Sequence, residues 1–196
     1  MNLTEMRARV REDLQDTDSQ SYRWTDDEVE GAIGRVVSEY SLAVPIEQQD
    51  DIATTDGDTE LDISELTGLL KVESVEFPIG EFPKYMQRFE YWAGHLYMED
   101  EGDGTDARVR WLKEHALTAE STTIPAEHEE IIVLGATGYL AMSAAAYTVD
   151  RASIASRYGT VNYKAWGKDR LGRYDQKLKQ VAQANRIVQR ELYVEE

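Results

Sequence analysis

Nineteen consecutive residues, Ile131 to Val149, carry no charge. A run of that length either crosses a bilayer or lies buried on all sides in a protein core. Its composition decides between the two. Gly135, Ala136, Thr137, Gly138, Ala141, Ser143, Ala144, Ala145 and Ala146 gain little from lipid, but small residues let neighbouring backbones approach closely. The run is therefore expected to be a crowded central helix, and no membrane partner is expected.

The rest of the chain must supply what packs around it. Asn2 with Glu5 three residues on is a capping-box pattern, and Leu3, Met6, Val10 and Leu14 share one face of a helix over 3–15. Thr25 with Glu28 repeats the pattern. Trp24 before the cap is placed to staple onto Val29, and Asp26 and Asp27 sit at the positive end of the helix dipole. Val29, Ile33, Val36, Val37 and Tyr40 form the apolar stripe of this second helix, which Pro45 stops. Pro125 suits the first position of the third helix, with Glu127, Glu129 and Glu130 in its first turns.

The last helix is expected over 163–192. Its apolar positions Leu171, Tyr174, Leu178, Val181, Val188 and Leu192, with Asn185 included, step by three and four along a seam of period 3.5. Such a seam packs either on the chain's own core or on another chain, with Asn185 fixing register.

Residues 49–118 read differently. Asp56-Gly57 between apolar-alternating segments predicts a hairpin joining 52–55 to 59–63. Leu69 to Ile79 predicts a strand whose alternation changes phase, as a bulge near Glu73-Ser74 would require. Phe89 to Met98 and Ala107 to Lys113 predict two further strands joined by the acidic loop Glu99 to Asp106. The fold class expected is α+β, mainly α. It is a helical bundle of 1–48 and 119–196 with a long C-terminal helix and a small inserted antiparallel β unit, 49–118.

Charge divides the chain. Residues 1–150 hold 11 Lys and Arg against 33 Asp and Glu, a net −22, whereas 151–196 hold ten against five, a net +5. An overall charge of −17 argues against a surface that grips nucleic acid. Arg outnumbers Lys fourteen to seven. Many acids with few lysines suit a protein working in molar salt, where a Debye length of about 3 Å screens self-repulsion.

The residues of enzyme chemistry do not assemble. There is no Cys, which excludes disulfides, thiol catalysis and Cys-ligated zinc. His95, His115 and His128 form no HExxH spacing, and no phosphate loop, GxSxG elbow or dinucleotide-binding glycine pattern occurs. The loop Asp100 to Asp106 lacks EF-hand spacing and reads as turn chemistry. The N-terminal residues carry no basic segment followed by an apolar run, so no signal peptide is expected. No catalytic residue, cofactor or metal ligand is assigned.

Three segments together resemble a known family. They are Leu3-Thr-Glu-Met-Arg-Ala-Arg-Val-Arg-Glu-Asp-Leu14 followed by Tyr22-Arg-Trp-Thr-Asp-Asp-Glu-Val29, then Leu61-Asp-Ile-Ser-Glu-Leu-Thr-Gly-Leu-Leu-Lys-Val-Glu-Ser-Val75, then Ile124-Pro-Ala-Glu-His-Glu-Glu-Ile-Ile-Val133 leading into the Ala-rich helix. In that order they resemble head–tail connector adaptors of tailed viruses, also called head completion proteins. The acidic, Arg-biased composition adds the expectation of a halophilic host such as a haloarchaeon. The resemblance implies a structural virion protein at the neck, assembled in the host cytoplasm. It implies a homo-oligomeric ring, commonly of twelve copies, docked under the portal protein and joined to a downstream neck or tail protein, with genomic DNA passing through.

In that frame Arg170, Arg173, Lys177, Lys179, Arg186 and Arg190 are candidates for portal or neighbour contact, and Leu171, Tyr174, Leu178 and Val181 for helix packing. Trp24, Thr25 and Val29 hold the first two helices together. Three alternatives remain open from the residues. They are another neck ring, such as a stopper or tail terminator, an acidic DNA-mimic inhibitor, and a carboxylate-dependent hydrolase.

Overall fold

Asn2 and Thr25 each open a helix by closing a reciprocal capping box, as their spacing to Glu5 and Glu28 predicts. The computed structural model describes residues 1–149 and 162–185. The Asn2 side chain accepts the Glu5 N–H at 2.9 Å, and the Glu5 carboxylate accepts the Asn2 N–H at 2.9 Å. At the second helix the Glu28 N–H donates to Thr25 Oγ1 at 3.2 Å, and the Thr25 N–H donates to the Glu28 carboxylate at 2.7 Å. The helices are α1 (Leu3–Asp13) and α2 (Asp26–Ala43). Helix α1 ends two residues earlier than its periodicity suggests, because Gln15 takes a left-handed φ of 54° that a helix cannot continue. Replacing Thr25 with Ala removes one half of its box and is expected to cost about 1 kcal/mol, read as a lowered urea midpoint. An unchanged midpoint would show that the cap carries no stability.

The described residues form an α+β fold of four helices and two antiparallel sheets. They divide into two compact units, one of residues 1–44, 115–149 and 162–185, the other of residues 45–114.

In the helical unit, α3 (Glu129–Val149) follows a single 3-10 turn, Ala126–His128, for which Pro125 is the N-cap. The true α-helix thus begins four residues after Pro125. Helix α4 runs Tyr163–Ala184, capped by Asn162, whose side chain accepts the Ala165 N–H at 3.0 Å. Met6, Val10, Trp24, Val29, Ile33, Val36, Tyr40, Ile132, Leu140 and Tyr174 share one core. Ile131 to Leu134 are all buried, so α3 is indeed the central, crowded helix. No helix among the described residues is long and apolar enough to cross a membrane.

The β unit holds seven strands, β1 (Ile46–Ala53), β2 (Glu60–Asp62), β3 (Leu69–Glu76), β4 (Met86–Gln87), β5 (Phe89–Trp92), β6 (His95–Met98) and β7 (Asp106–Lys113). One sheet has the order β1-β7-β3-β4 and the other β2-β6-β5. Leu61, Val75, Leu96, Met98, Val109 and Trp111 draw on both sheets to form a single core.

Two strand expectations need correction. Asp56-Gly57 does not close a hairpin: β1 pairs with β7 and β2 with β6, so the turn carries the chain from one sheet to the other. Gly57 has the positive φ its turn needs, but its N–H donates to the Gly102 carbonyl at 2.9 Å, a partner far along the chain. Phe89 to Met98 is not one strand but a hairpin, reversed at Ala93-Gly94, both with positive φ. Alanine rarely occupies that region, so the turn lacked its usual marker. The bulge in β3 is where the phase change places it, with a register shift between Val72 and Ser74. That strand ends at Glu76, three residues short of Ile79, where the chain turns into Phe77-Pro78.

Candidate functional site

Helix α4 carries the cations singled out above, and small residues bring it close to α3. A Cβ on Gly138 would lie 2.8 Å from two Leu171 side-chain carbons. On Gly135 it would lie 2.8 Å from both γ-carbons of Val36 and 3.1 Å from the Tyr174 ring. On Gly167, in α4 itself, it would meet Ala141 and Met142 at 3.1 Å. Leu171, Tyr174, Leu178 and Val181 all pack on the core of this unit, so the described part of the seam serves the chain's own helices. Asn185 stands at the C-cap, its N–H donating to the Val181 carbonyl at 2.9 Å.

A carboxylate fastens the three helices. Glu39 of α2 accepts from Tyr139 Oη of α3 at 2.8 Å, from Tyr174 Oη of α4 at 3.0 Å and from Arg35 Nε at 3.0 Å. The Arg35 guanidinium lies over the Tyr139 ring at 3.8 Å. Burial alone would disfavour ionised Glu39. The three hydrogen bonds and the Arg35 charge overcome it and hold the carboxyl below its ordinary value of 4.5. Burial and the same carboxylate push the Tyr174 hydroxyl far up.

The α4 cations meet acids of their own unit. Arg170 bonds Asp13 at 2.6 Å, Arg173 lies 3.0 Å from Asp169, Lys177 2.8 Å from Glu130 and Lys179 2.6 Å from Asp175. Arg173 and Lys179 pair within α4 at the (i, i+4) spacing, both partners largely exposed, so each pair is easily exchanged for an external acid. Lys164 and Lys168 of the same helix are exposed and have no ion pair among the described residues. Arg186 and Arg190, like Val188 and Leu192, lie outside the described residues.

The connection between α1 and α2 is built on a buried guanidinium that sequence reasoning did not single out. Arg11, 5% exposed, donates to Asp16 at 2.7 Å, to the Trp24 carbonyl at 3.0 Å and to Asp26 at 2.7 Å, with the Tyr22 ring 3.7 Å away. Asp16 also accepts the Arg23 N–H at 2.8 Å. Beside this turn is a cavity of about 450 Å³ lined by Asp13, Asp16, Asp18, Arg23, Tyr163 and Trp166 among others. Its aromatic faces already hold cations: Arg23 lies 4.9 Å from the Tyr163 ring and Arg170 4.9 Å from Trp166.

Neither a protein-family profile nor any curated protein matches this chain. Among solved structures, a chain in the virion of a native gene transfer agent (GTA) particle is similar over 86% of this chain and 88% of that one, at 8% sequence identity and a TM-score of 0.29. A TM-score of that size does not establish a shared fold.

In the β unit the acids have structural duties. Glu76, 1% exposed, accepts from Lys84 at 3.2 Å and Arg110 at 2.9 Å. Burial again opposes its ionisation. The Lys84 and Gly80 hydrogen bonds, with the charges of Lys84 and Arg110, hold its carboxyl below 4.5. In the acidic loop, Asp100 accepts from Gln87 Nε2 at 2.7 Å and Asp103 from the Thr105 N–H at 2.9 Å. No group of three or more potential ligands suited to a metal ion occurs among the described residues. Two histidines serve the fold: His128 Nδ1 meets Tyr40 Oη at 2.6 Å and His115 Nε2 meets the Val44 carbonyl at 2.9 Å, whereas His95 Nδ1 lies 2.9 Å from Glu60 but makes no hydrogen bond among the described residues. Large exposed apolar side chains concentrate here, among them Phe82, Tyr85, Tyr91 and Trp92.

Glu39 and Glu76 set an acid limit. Because their folded carboxyls lie below the unfolded value of 4.5, the stability they contribute is complete above that value and is lost as pH falls through the folded ones. Thermal midpoints are therefore expected to fall between about pH 5 and pH 3, and Glu39→Gln and Glu76→Gln should each flatten that fall. Identical pH slopes in the wild type and both variants would rule this assignment out.

Proposed function

We propose that this chain is a structural virion protein, a head–tail connector adaptor that forms a ring under the portal and joins it to the next neck or tail component. The observation that carries the reading is the order of elements along the chain. Two capped helices, an inserted β unit, a small-residue helix and a long final helix follow one another as the adaptor-like segments do in the sequence. In this reading the helical unit is the bundle-like adaptor body and the β unit its insertion. The role is assembly, with no bond made or broken.

Ring closure requires a head-to-tail contact between unlike surfaces. The exposed side of α4 supplies one of them, since its apolar positions through Val181 are used internally, Arg173 and Lys179 are held only by exposed pairs, and Lys164 and Lys168 have no ion pair among the described residues. An acidic wall lining a channel would repel phosphates and let DNA pass without adhering.

The test is a size measurement of the purified protein alone and with a portal ring from the same gene cluster. The expected result is a ring-sized species that co-migrates with the portal. Replacement of Arg173 and Lys179 with Gln should weaken that association with little change in the thermal midpoint, because each loses only an exposed (i, i+4) pair and creates no like-charge one. A protein that stays monomeric beside the portal would exclude the adaptor role.

A further inference from the structure

The outer edge of β1 is an unpaired strand eight residues long, and the backbone register identifies which groups it offers. The pairing of β1 with β7 is unbroken from Ile46↔Lys113 to Ala53↔Asp106. One step further, the Thr54 N–H donates to the Thr105 carbonyl at 2.9 Å, so Thr54 belongs to a hydrogen-bonded pair. Antiparallel pairs alternate, so Ile52, Asp50 and Gln48 also direct their amides and carbonyls to β7. Glu47, Gln49, Asp51 and Ala53 direct theirs away from the sheet.

Nothing among the described residues covers these groups. β1 is the terminal strand of its sheet, and residues 47–51 are exposed on both faces. Edges of this kind are normally guarded by a proline, a lysine, a bulge or an overlying element, and β1 has none of the first three. Its charge is selective instead. Glu47, Asp50 and Asp51 stand on the strand, and residues 45–114 hold six Lys and Arg against 18 Asp and Glu, a net −12. Two copies pairing β1 to β1 would oppose acid to acid across the new ladder. An acidic strand from any other protein meets the same repulsion.

We infer that β1 is a strand-addition site for an extended segment of another protein that carries Lys or Arg at alternate positions. The incoming strand gains the backbone bonds of Glu47, Gln49, Asp51 and Ala53, and its cations meet the Glu47 carboxylate, since Asp51 already accepts from Arg108 at 2.8 and 2.9 Å and Asp50 from Trp111 Nε1 at 2.6 Å. Glu47 has no ion pair among the described residues to compete with it. This inference stands on the β unit alone and does not depend on the adaptor reading.

The test uses the full chain, 15N-labelled, with two synthetic ten-residue peptides, one alternating Thr and Lys, the other Thr and Glu. With the Lys peptide, amide exchange at Glu47, Gln49, Asp51 and Ala53 should slow by at least roughly tenfold, while that of Gln48 and Asp50, already bonded to β7, stays unchanged. Gln49→Pro removes an outward N–H and places a ring on the edge, a substitution edge strands tolerate. It should abolish the slowing and leave the thermal midpoint in place. Should Gln49→Pro fold poorly, Glu47→Lys, an exposed change, should still weaken peptide binding by several-fold. The inference is overturned by no slowing with the Lys peptide, or by equal slowing with the Glu peptide. Slowing that appears without peptide and grows with protein concentration also overturns it, since a second copy would then be the occupant.

Discussion

Replacing Arg11 with Met is expected to lower stability by about 3 kcal/mol, within the range for breaking a buried ion pair. The guanidinium sits almost wholly out of water and satisfies Asp16, the Trp24 carbonyl and Asp26 together. Without it Asp16, itself 8% exposed, keeps among the described residues only backbone donors, the Arg23 N–H at 2.8 Å and the Trp24 N–H at 3.4 Å. Asp26 is half exposed and rehydrates, and Met fills the space of the aliphatic stem, so the loss falls at the lower end of the range. For a chain of this size the thermal midpoint should drop by about 6–12 °C. Arg11→Lys should recover less than half of the loss, because one ammonium cannot reach three acceptors that a planar fork spans. The double variant Arg11→Met with Asp16→Asn should be more stable than Arg11→Met alone, since it removes the stranded charge. A single variant within 1 kcal/mol of wild type would mean that the burial of Arg11 is unimportant to the fold.

The second large effect turns on two glycines of opposite sign. By helix propensity alone, replacing a mid-helix glycine stabilises. Gly31 in α2 has nothing within 4 Å of the position a Cβ would take, so Gly31→Ala should gain about 0.5–1 kcal/mol. At Gly135 in α3 the first added carbon already lies 2.8 Å from both γ-carbons of Val36. Val36 is fully buried and its χ1 is stiff, and Tyr174, the next neighbour, is tethered to Glu39. Neither gives way without moving a helix. Gly135→Val should therefore cost about 3 kcal/mol, the upper range of overpacking. Urea unfolding followed by far-ultraviolet circular dichroism measures both. Shifts of the same sign at the two positions would show that the helices are not packed as closely as described.

The candidate contact surface of α4 was only half legible in the sequence. The (i, i+4) pairs Asp169–Arg173 and Asp175–Lys179 follow from spacing along one helix. Arg170 with Asp13 and Lys177 with Glu130 do not, because their partners lie on other helices. The free edge of β1 was hidden for a similar reason: a strand's edge is defined only once its single partner is known.

The same division runs through the fold. Sequence by itself determined the caps at Asn2 and Thr25, the bulge in β3 and the buried, crowded character of α3. Each of these rests on residues within a few positions of one another, where helical or strand geometry dictates who meets whom. Tertiary structure alone decided that the strands flanking Asp56-Gly57 join different sheets, that Ala93-Gly94 is a turn, and that Arg11 is buried. Those outcomes depend on which distant segments pack together, and the burial of core side chains such as Leu61, Leu96 and Trp111 outweighs the local preference of a two-residue turn.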